Sequence, residues 1–586
     1  MKRIGLAGFL LFALASPNSG AWAQIEEIVV TAQRKEQSLQ DVPVAVTALS
    51  AEQVESLQIE AVLDLGESVP NLQTYEVTAS AAAMQVHMRG ASLQNPGFNT
   101  SESPVGLYLD DVYQGRFAAA NLDLNDIERI EVLRGPQATL YGRNTIAGAV
   151  KFITRTPGPD NNWVTGVLGY GNYETSKVTF SSGGGLTDGW AASISASFHD
   201  RGEGYIGNPN RNPGSKTELG EHTNIAGRAK FHYYSSENMD GVLTFWGVDV
   251  ENDGYNGIPY APFSNAVSAA GESPVPGRPI NGNFYENLSS APAYGDTKQA
   301  GLTLNWSYDF SGTVLRSITA FVSVEDDFQF DLAGGGFVAF LGASPTGGTL
   351  ITSSADNEQL SQELQLLGTT PGGGLDWIVG FYYLSESGDQ DYRGRIPNFL
   401  DFQELSQTDT DSYALFAEGT LKLGERWNLT AGLRWTEDQK EFEISCSGMS
   451  CVFDDPANPA PQKLDRSFGE ITPKIVAQFR LNDDHMLYAS ASNGFQAGGF
   501  QTLCFGNVSS SCAGAFYDPQ TVWSYEIGYK GDMFDSRLRI NALVFHAAYD
   551  DIQQTVIRGG AFPTQNVGEV DVTGAELEMF WSPGGG

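Results

Sequence analysis

A two-residue alternation of apolar and polar side chains fills this chain from about Asn162 onward, and it limits the fold more than any other feature. Thr223, Ile225, Gly227, Ala229, Phe231 and Tyr233 alternate with Asn224, Ala226, Arg228, Lys230 and His232. Tyr413, Leu415, Ala417, Gly419 and Leu421 alternate with Ser412, Ala414, Phe416, Glu418 and Thr420. Leu429, Ala431, Leu433 and Trp435 alternate with Asn428, Thr430, Gly432 and Arg434. Successive side chains of a strand point to opposite faces, so each run makes one apolar and one polar face. Over about ten residues this is the pattern of a transmembrane β-strand with lipid outside and a wet lumen inside. A soluble β-sandwich writes the same alternation with its apolar face turned inward, so periodicity alone leaves both open. Roughly sixteen such segments fit between residues 162 and 582, and short connections alternate with long ones such as 251–296 and 326–356.

Charge and hydropathy remove other classes. Lys plus Arg is 34 and Asp plus Glu is 70, a net charge of −36. That leaves no basic surplus to neutralise nucleic-acid phosphates. A mean hydropathy of −0.22 excludes a bundle of membrane helices. The only continuous apolar run is at the N-terminus: Met1-Lys2-Arg3 is positive, Ile4 to Ala15 is apolar, and Ala21-Trp22-Ala23 fits a small-x-small cleavage site. Residues 1–23 therefore read as a secretory signal peptide, too short to span a bilayer as a helix.

Residues 24–157 differ from the rest. Ile28-Val29-Val30-Thr31 is β-branched throughout and is followed by the polar stretch Gln33 to Ser38. Such a segment on a mobile terminus suits strand addition to another protein's sheet edge, and equally an ordinary first strand. Val42 to Leu49 predicts a strand. Ser50 with Gln53 predicts a capped helix from Ala51, and residues 61–65 predict a second helix closed by Gly66. Val105 to Leu109, Asp110-Asp111 and Val112-Tyr113 predict a hairpin with an acidic turn. Ile127 to Leu133 predicts a strand interleaved with Glu128, Arg129 and Glu131, before the sharp turn Arg134-Gly135-Pro136. Leu140-Tyr141-Gly142-Arg143-Asn144 then precedes the small-residue run Ala147 to Val150.

The stretch from Asp126 to Thr145 resembles the plug signature of TonB-dependent outer-membrane receptors. Glu27, Ile28, Val29, Val30, Thr31 and Ala32 resemble their TonB box, and His87-Met88-Arg89-Gly90 and Gly106 to Val112 are similar to two further plug motifs. The resemblance implies an all-β membrane barrel with an N-terminal α+β plug in its lumen. The expected organisation is a signal peptide at 1–23, a TonB box and mobile segment at 24–40, a plug at 41–157 and a barrel at 160–586. It implies energised uptake of a scarce ligand, no catalysis and no cofactor. The implied partners are TonB, outer-membrane lipid of a Gram-negative bacterium and a small molecule, with a ferric siderophore the commonest family substrate. The plug-motif residues carried over are Arg89, Gly90, Arg134, Gly135, Pro136, Tyr141, Gly142, Arg143 and Asn144. Arg89, Arg134 and Arg143 are expected either to face barrel-wall carboxylates, Glu418 among them by its inward parity, or to pair within the plug.

Geometry adds an expectation about size. A plug of about 115 residues is ~35 Å across. Sixteen tilted strands leave ~22 Å free inside and twenty-two leave ~34 Å. The barrel is thus expected to have twenty-two strands when complete, about sixteen of them present, and the chain to be a C-terminally incomplete piece. Two open edges in lipid would keep such a piece from assembling stably by itself.

No catalytic constellation stands out. The six His residues are scattered, and His222 and His232 share a face but are too far apart to share a metal. Cys446 with Cys451 and Cys504 with Cys512 are expected to form loop disulfides in an oxidising compartment. The doublets Asp326-Asp327, Asp454-Asp455 and Asp550-Asp551 read as solvated turns rather than Ca²⁺ sites, so no metal is expected. The surplus of acid weakly suits a cationic or neutral ligand. Within transport, the alternatives are a carbohydrate, an aromatic compound or cobalamin. A secreted acidic β-rich enzyme leaves residues 24–157 unexplained, a passive porin needs neither plug nor box, and a signalling receptor would carry an extra domain before the box.

Overall fold

A computed structural model describes residues 27–76, 83–92, 97–116, 126–208, 218–236, 238–253, 285, 292–331, 350–396, 400–448, 462–502, 516–556 and 563–582. The expected signal peptide, Cys451, Cys504, Cys512 and Asp454-Asp455 lie outside them. Among the described residues no helix is long and apolar enough to cross a membrane.

The N-terminal part is an α+β unit. Its strands are β1 (Val29–Val30), β2 (Gln37–Ser38), β3 (Val46–Ser50), β4 (Leu72–Glu76), β5 (Met84–Met88), β6 (Val105–Leu109), β7 (Val112–Gln114), β8 (Ile127–Arg134) and β9 (Gly148–Thr154). A five-stranded sheet runs β3-β8-β9-β6-β7, and only its β6–β9 pair is parallel. Helix α1 (Ala51–Ser56) starts at Ser50 with the expected capping box to Gln53. The second expected helix is a 3₁₀ helix, Val62–Glu67, with Gly66 inside it rather than beyond it. Asp64 folds back to accept from the Glu60 and Ala61 N–H groups, which tightens this short turn. Helix α2 (Ala138–Tyr141) is a single turn ended by Gly142 at φ +91°.

Sixteen further strands, from Trp163–Tyr170 to Val570–Trp581, form one antiparallel sheet in chain order. Its first and last strands each have one neighbour. The alternation puts residues such as Leu415, Leu421, Leu433 and Trp435 on the outside and buries Phe416, Glu418 and Arg434 inside. The strands reach further than the alternation implied: Thr313–Asp331 runs six residues, and Leu350–Thr369 seven, into what was expected to be the 326–356 loop. These strand ends carry Asp326, Asp327 and Asp331 beside a buried inner cluster of Phe328, Phe330 and Ile351, so the acids hid a continuing hydrogen-bond ladder. The longest strand, Leu400–Leu423, has 24 residues. A tilted strand needs about 9–11 residues to cross hydrocarbon, so roughly half of it stands clear of lipid.

The plug fills this sheet's concave face. One apolar cluster joins Val86, Leu107 and Val132 of the plug to Trp246, Ile318 and Val522 of the wall. A second joins Val30, Leu39 and Tyr141 to Ile378, Leu384 and Phe416.

Candidate functional site at the plug and its wall

The arginines of the plug motifs sit at or beside sharp backbone turns. Arg89 adopts φ +49° and Gly90 φ +85° after β5, and Gly135 adopts φ +82° after β8. Both turns aim a guanidinium sideways at the wall. Arg89 lies 2.5 Å from Glu526 and 2.8 Å from Glu576, with its guanidinium 4.1 Å from the centre of the Phe545 ring. Arg134 lies 3.0 Å from Glu578 and 3.4 Å from Glu576. These side chains are almost wholly buried, so the pairs are desolvated and strong only while complete. Pro136 packs where Gly494 of the wall offers no side chain.

Arg143 bridges plug and wall, 2.5 Å from Glu102 and 3.4 Å from Asp438. Lys440 of the wall reaches Glu102 at 2.6 Å. Burial alone would push the Glu102 carboxyl up, but Arg143, Lys440 and Arg116 outweigh it and hold it at about 2. Asn144 donates to Glu102 and to the Tyr113 hydroxyl, and its Oδ1 accepts from the Ala497 N–H at 3.0 Å. Gly142 packs against the Arg434 guanidinium. Glu418 is buried and inward as its parity requires, yet its ion partner is Lys474 of the wall at 3.4 Å. Parity fixes the face of a strand, and neither height nor azimuth, so it could not select the wall acids that meet the plug.

The acidic hairpin turn has two jobs. Asp110 accepts from the Thr154 N–H at 2.9 Å and pairs with Lys230 of the wall at 3.0 Å. Asp111 lies 3.2 Å from both Lys151 and Arg34. Burial would raise the Asp111 carboxyl, but Lys151, Arg34 and Arg316 hold it well below the usual range.

The segment carrying Glu27 to Ala32, read from sequence as a mobile arm, lies here against the plug, with Glu27, Val29 and Glu36 exposed. β1 pairs with β2, Val29 opposite Ser38 and Val30 opposite Gln37. Ile28 accepts from the Leu39 N–H at 2.9 Å, and Glu27 stays exposed. Val30 is 0% exposed and Ala32 2%. Tyr141 fixes this packing, its hydroxyl 3.1 Å from the Thr31 and Ala32 carbonyls. Arg34 spans plug and wall, 3.2 Å from Asp111 and 3.2 Å from Glu363. A polar cavity of about 440 Å³ lies between part of residues 27–43 and the wall, lined in part by Lys35, Asp376, Lys422 and Arg480.

Other expected sites fare differently. Cys446 is disulfide-bonded and lies on the strand Trp427–Gly448 rather than in a loop; its partner is outside the described residues. Asp326 and Asp327 point to opposite faces of one strand, so they cannot share a cation. His232 binds the linker after the plug, with Nδ1 2.6 Å from the Pro157 carbonyl and Nε2 2.6 Å from Asp240. Sequence reasoning missed Glu131, Lys151, Glu363, Asp438, Glu526, Glu576 and Glu578. A lone acid in Ile130-Glu131-Val132 and a lone base in Val150-Lys151-Phe152 were signals in apolar strands, while the wall residues gave none beyond parity.

Known proteins show the same plan. The profile of the TonB-dependent Receptor Plug Domain matches residues 38–149, and the TonB dependent receptor-like β-barrel profile matches residues 233–585. The chain is similar to a pesticin receptor of Yersinia enterocolitica, 21% identical over 580 residues that cover 99% of this chain and 78% of that protein. It is also similar to the catecholate siderophore receptor Fiu of Escherichia coli, 21% identical over 91% of this chain and 72% of that one. Among solved structures, the ferric yersiniabactin uptake receptor FyuA of Yersinia pestis superposes with a TM-score of 0.73 at 19% identity, over 92% of this chain and 76% of that chain. The siderophore receptor PiuA of Acinetobacter baumannii gives 0.72 at 17%, over 93% and 77%. Members of the family are outer-membrane β-barrels of Gram-negative bacteria that interact with TonB and bind small ligands, and they are not enzymes. This chain belongs to the TonB-dependent receptor family.

Proposed function

We propose that this protein takes up a ferric siderophore or another iron complex across an outer membrane, driven by TonB. The observation that carries the reading is the Glu27 to Ala32 segment, a β-prone run tied directly to a plug that is itself tied to the wall by buried ion pairs. Pairing of TonB with this segment by strand addition would deliver a pull to the plug through main-chain hydrogen bonds, which bear load without a deep pocket. The relatives named for a catecholate siderophore and for ferric yersiniabactin favour an iron chelate as cargo.

Two measurements test the proposal. Iron starvation should strongly induce the protein in the outer membrane. Induction by a carbon source instead, with no response to iron, would move the substrate to a nutrient such as an oligosaccharide. Val30→Pro removes a backbone donor from the added strand. It should abolish energised uptake while leaving ligand binding to whole cells within about twofold. Uptake that survives Val30→Pro would sink the assignment of the TonB-contacting segment.

A further inference from the structure

Thr31 follows β1 and begins a tight turn closed by the Arg34 N–H, which donates to the Thr31 carbonyl at 3.0 Å. Every polar atom of Thr31 is held. Its N–H donates to Glu131 Oε1 at 2.9 Å. Its hydroxyl lies 3.2 Å from the same carboxylate and accepts from Lys151 Nζ at 2.6 Å. Its carbonyl faces the Tyr141 hydroxyl at 3.1 Å and Lys151 at 3.3 Å. Glu131 and Lys151 stand directly opposite each other on β8 and β9, and both are 0% exposed.

A buried acid and a buried base at apolar strand positions are expensive unless they are paired and hydrogen-bonded. Here Thr31 completes the set. Lys151 Nζ is 3.5 Å from Glu131, and Arg129 reaches Glu131 at 2.9 Å. The hairpin itself contributes little, because β1 and β2 are two residues each and an isolated pair of strands is marginal in water. The turn is held from its far side as well, where the buried Arg34 guanidinium lies over the Tyr141 ring at 4.4 Å and bridges Asp111 to Glu363.

We propose that Glu131 and Lys151 are positioning residues that clamp Thr31, and that this clamp sets how often the segment 27–34 leaves the plug and becomes available to TonB. The inference rests on the reading of Glu27 to Ala32 as the segment TonB contacts. Its anchor is rigid: Glu131 precedes Arg134 by three residues on β8, and Arg134 is fixed to Glu576 and Glu578. A pull on the segment is therefore carried to β8 and β9 of the plug while the clamp is closed, and is lost to an idle tether once it opens.

The test uses the full chain in lipid with Val30→Cys as reporter, since Val30 is fully buried in the docked state. Maleimide labelling is read at the peptide by mass spectrometry, with Ala147→Cys, another buried site, as reporter for the plug as a whole. Glu131→Ala and, separately, Lys151→Met should each speed labelling of position 30 at least about tenfold and leave position 147 within about twofold. Glu131→Gln, which keeps an acceptor for the Thr31 N–H, should fall between. Unchanged labelling at position 30, or equal acceleration at both positions, would overturn the clamp. A separate arm measures capture by the soluble periplasmic domain of TonB without ligand, expected to rise with labelling. Faster labelling without more capture would keep the clamp and refute the TonB-contacting segment instead.

Discussion

Replacing Arg89 by Met should loosen the plug by an amount set by what the arginine leaves behind. Its guanidinium is the ion partner of Glu526 at 2.5 Å and of Glu576 at 2.8 Å, and its face covers Phe545. In the variant Glu576 keeps Arg134 at 3.4 Å and the Asn71 amide at 2.9 Å. Glu526, with a side chain 6% exposed, loses its Arg89 contact. Removing one partner of a buried pair costs about 3–5 kcal/mol, mostly for the stranded charge. At 1.4 kcal/mol per decade, the equilibrium for opening the plug should rise by about two to three and a half decades. Hydrogen exchange of the β5 and β9 amides in lipid reads this directly, because those strands exchange only when the plug opens. The companion variant Arg89→Met with Glu526→Gln removes the stranded charge and should recover at least about one decade of protection. A loss below about threefold in the single variant, or simple additivity in the double, would refute the claim that these pairs hold the plug to the wall.

Two smaller changes test other parts of the plug. Gly148 sits at φ +153°, and a Cβ there would meet the Leu133 carbonyl at 2.2 Å and the Met88 sulfur at 2.3 Å. Gly148→Ala should therefore destabilise the plug by about 1–3 kcal/mol or prevent its packing, seen as lost exchange protection with the barrel strands unchanged. Glu102 is held at about 2 in the folded plug, below the ordinary carboxyl value of 4.5, so its contribution is fully present above about pH 4.5 and is lost as pH falls through 2. Exchange protection near residues 102 and 143 should be flat between pH 7 and 5 and decline below 4.5, and Glu102→Gln should remove that dependence.

Much of the plug was legible because its signals are local. The Ser50–Gln53 capping box, the hairpin around Asp110-Asp111 and the turn at Gly135 each depend on neighbours within a few residues. The barrel was legible for a different reason: a strand with lipid on one face and a lumen on the other must alternate, so Leu415 and Glu418 declare their faces without their partners. What could not be read is whatever the register of the whole sheet decides. Arg89 meets Glu526 across 437 residues of chain and Arg134 meets Glu578 across 444. Glu418 has the right parity and the wrong place, which is the limit of parity as a guide. The packed state of residues 27–40 was hidden because a β-branched run followed by polar residues is equally consistent with a free arm and with a short strand. The hydrogen bonds of Thr31 to Glu131 and Lys151 favour the docked strand, and those two residues lie about a hundred positions away.

The acidity of the chain also changes meaning once the strands are placed. A net charge of −36 read as a property of the surface suggests a preference for a cationic or neutral ligand. Among the described residues two sets of these acids stand apart, with different causes. Glu363, Asp438, Glu526, Glu576 and Glu578 face inward against the cations of the plug, where each is matched by Arg34, Arg89, Arg134 or Arg143. A second set faces outward at the ends of long strands: Glu251, Asp296 and Asp327 stand opposite one another on three neighbouring strands, and Glu325, Asp356 and Asp389 form another row. Like charges directly opposite across a ladder are unfavourable, and Lys298, 3.2 Å from Asp296, offsets part of the first row. Such rows are tolerable only in the strand ends that stand clear of lipid, because a charge on the hydrocarbon face is costly. One set secures the plug and the other wets the rim of the barrel, so these acids do not report on the charge of what passes through. The ligand's charge has to be measured at the binding site, and the overall composition carries no vote on it.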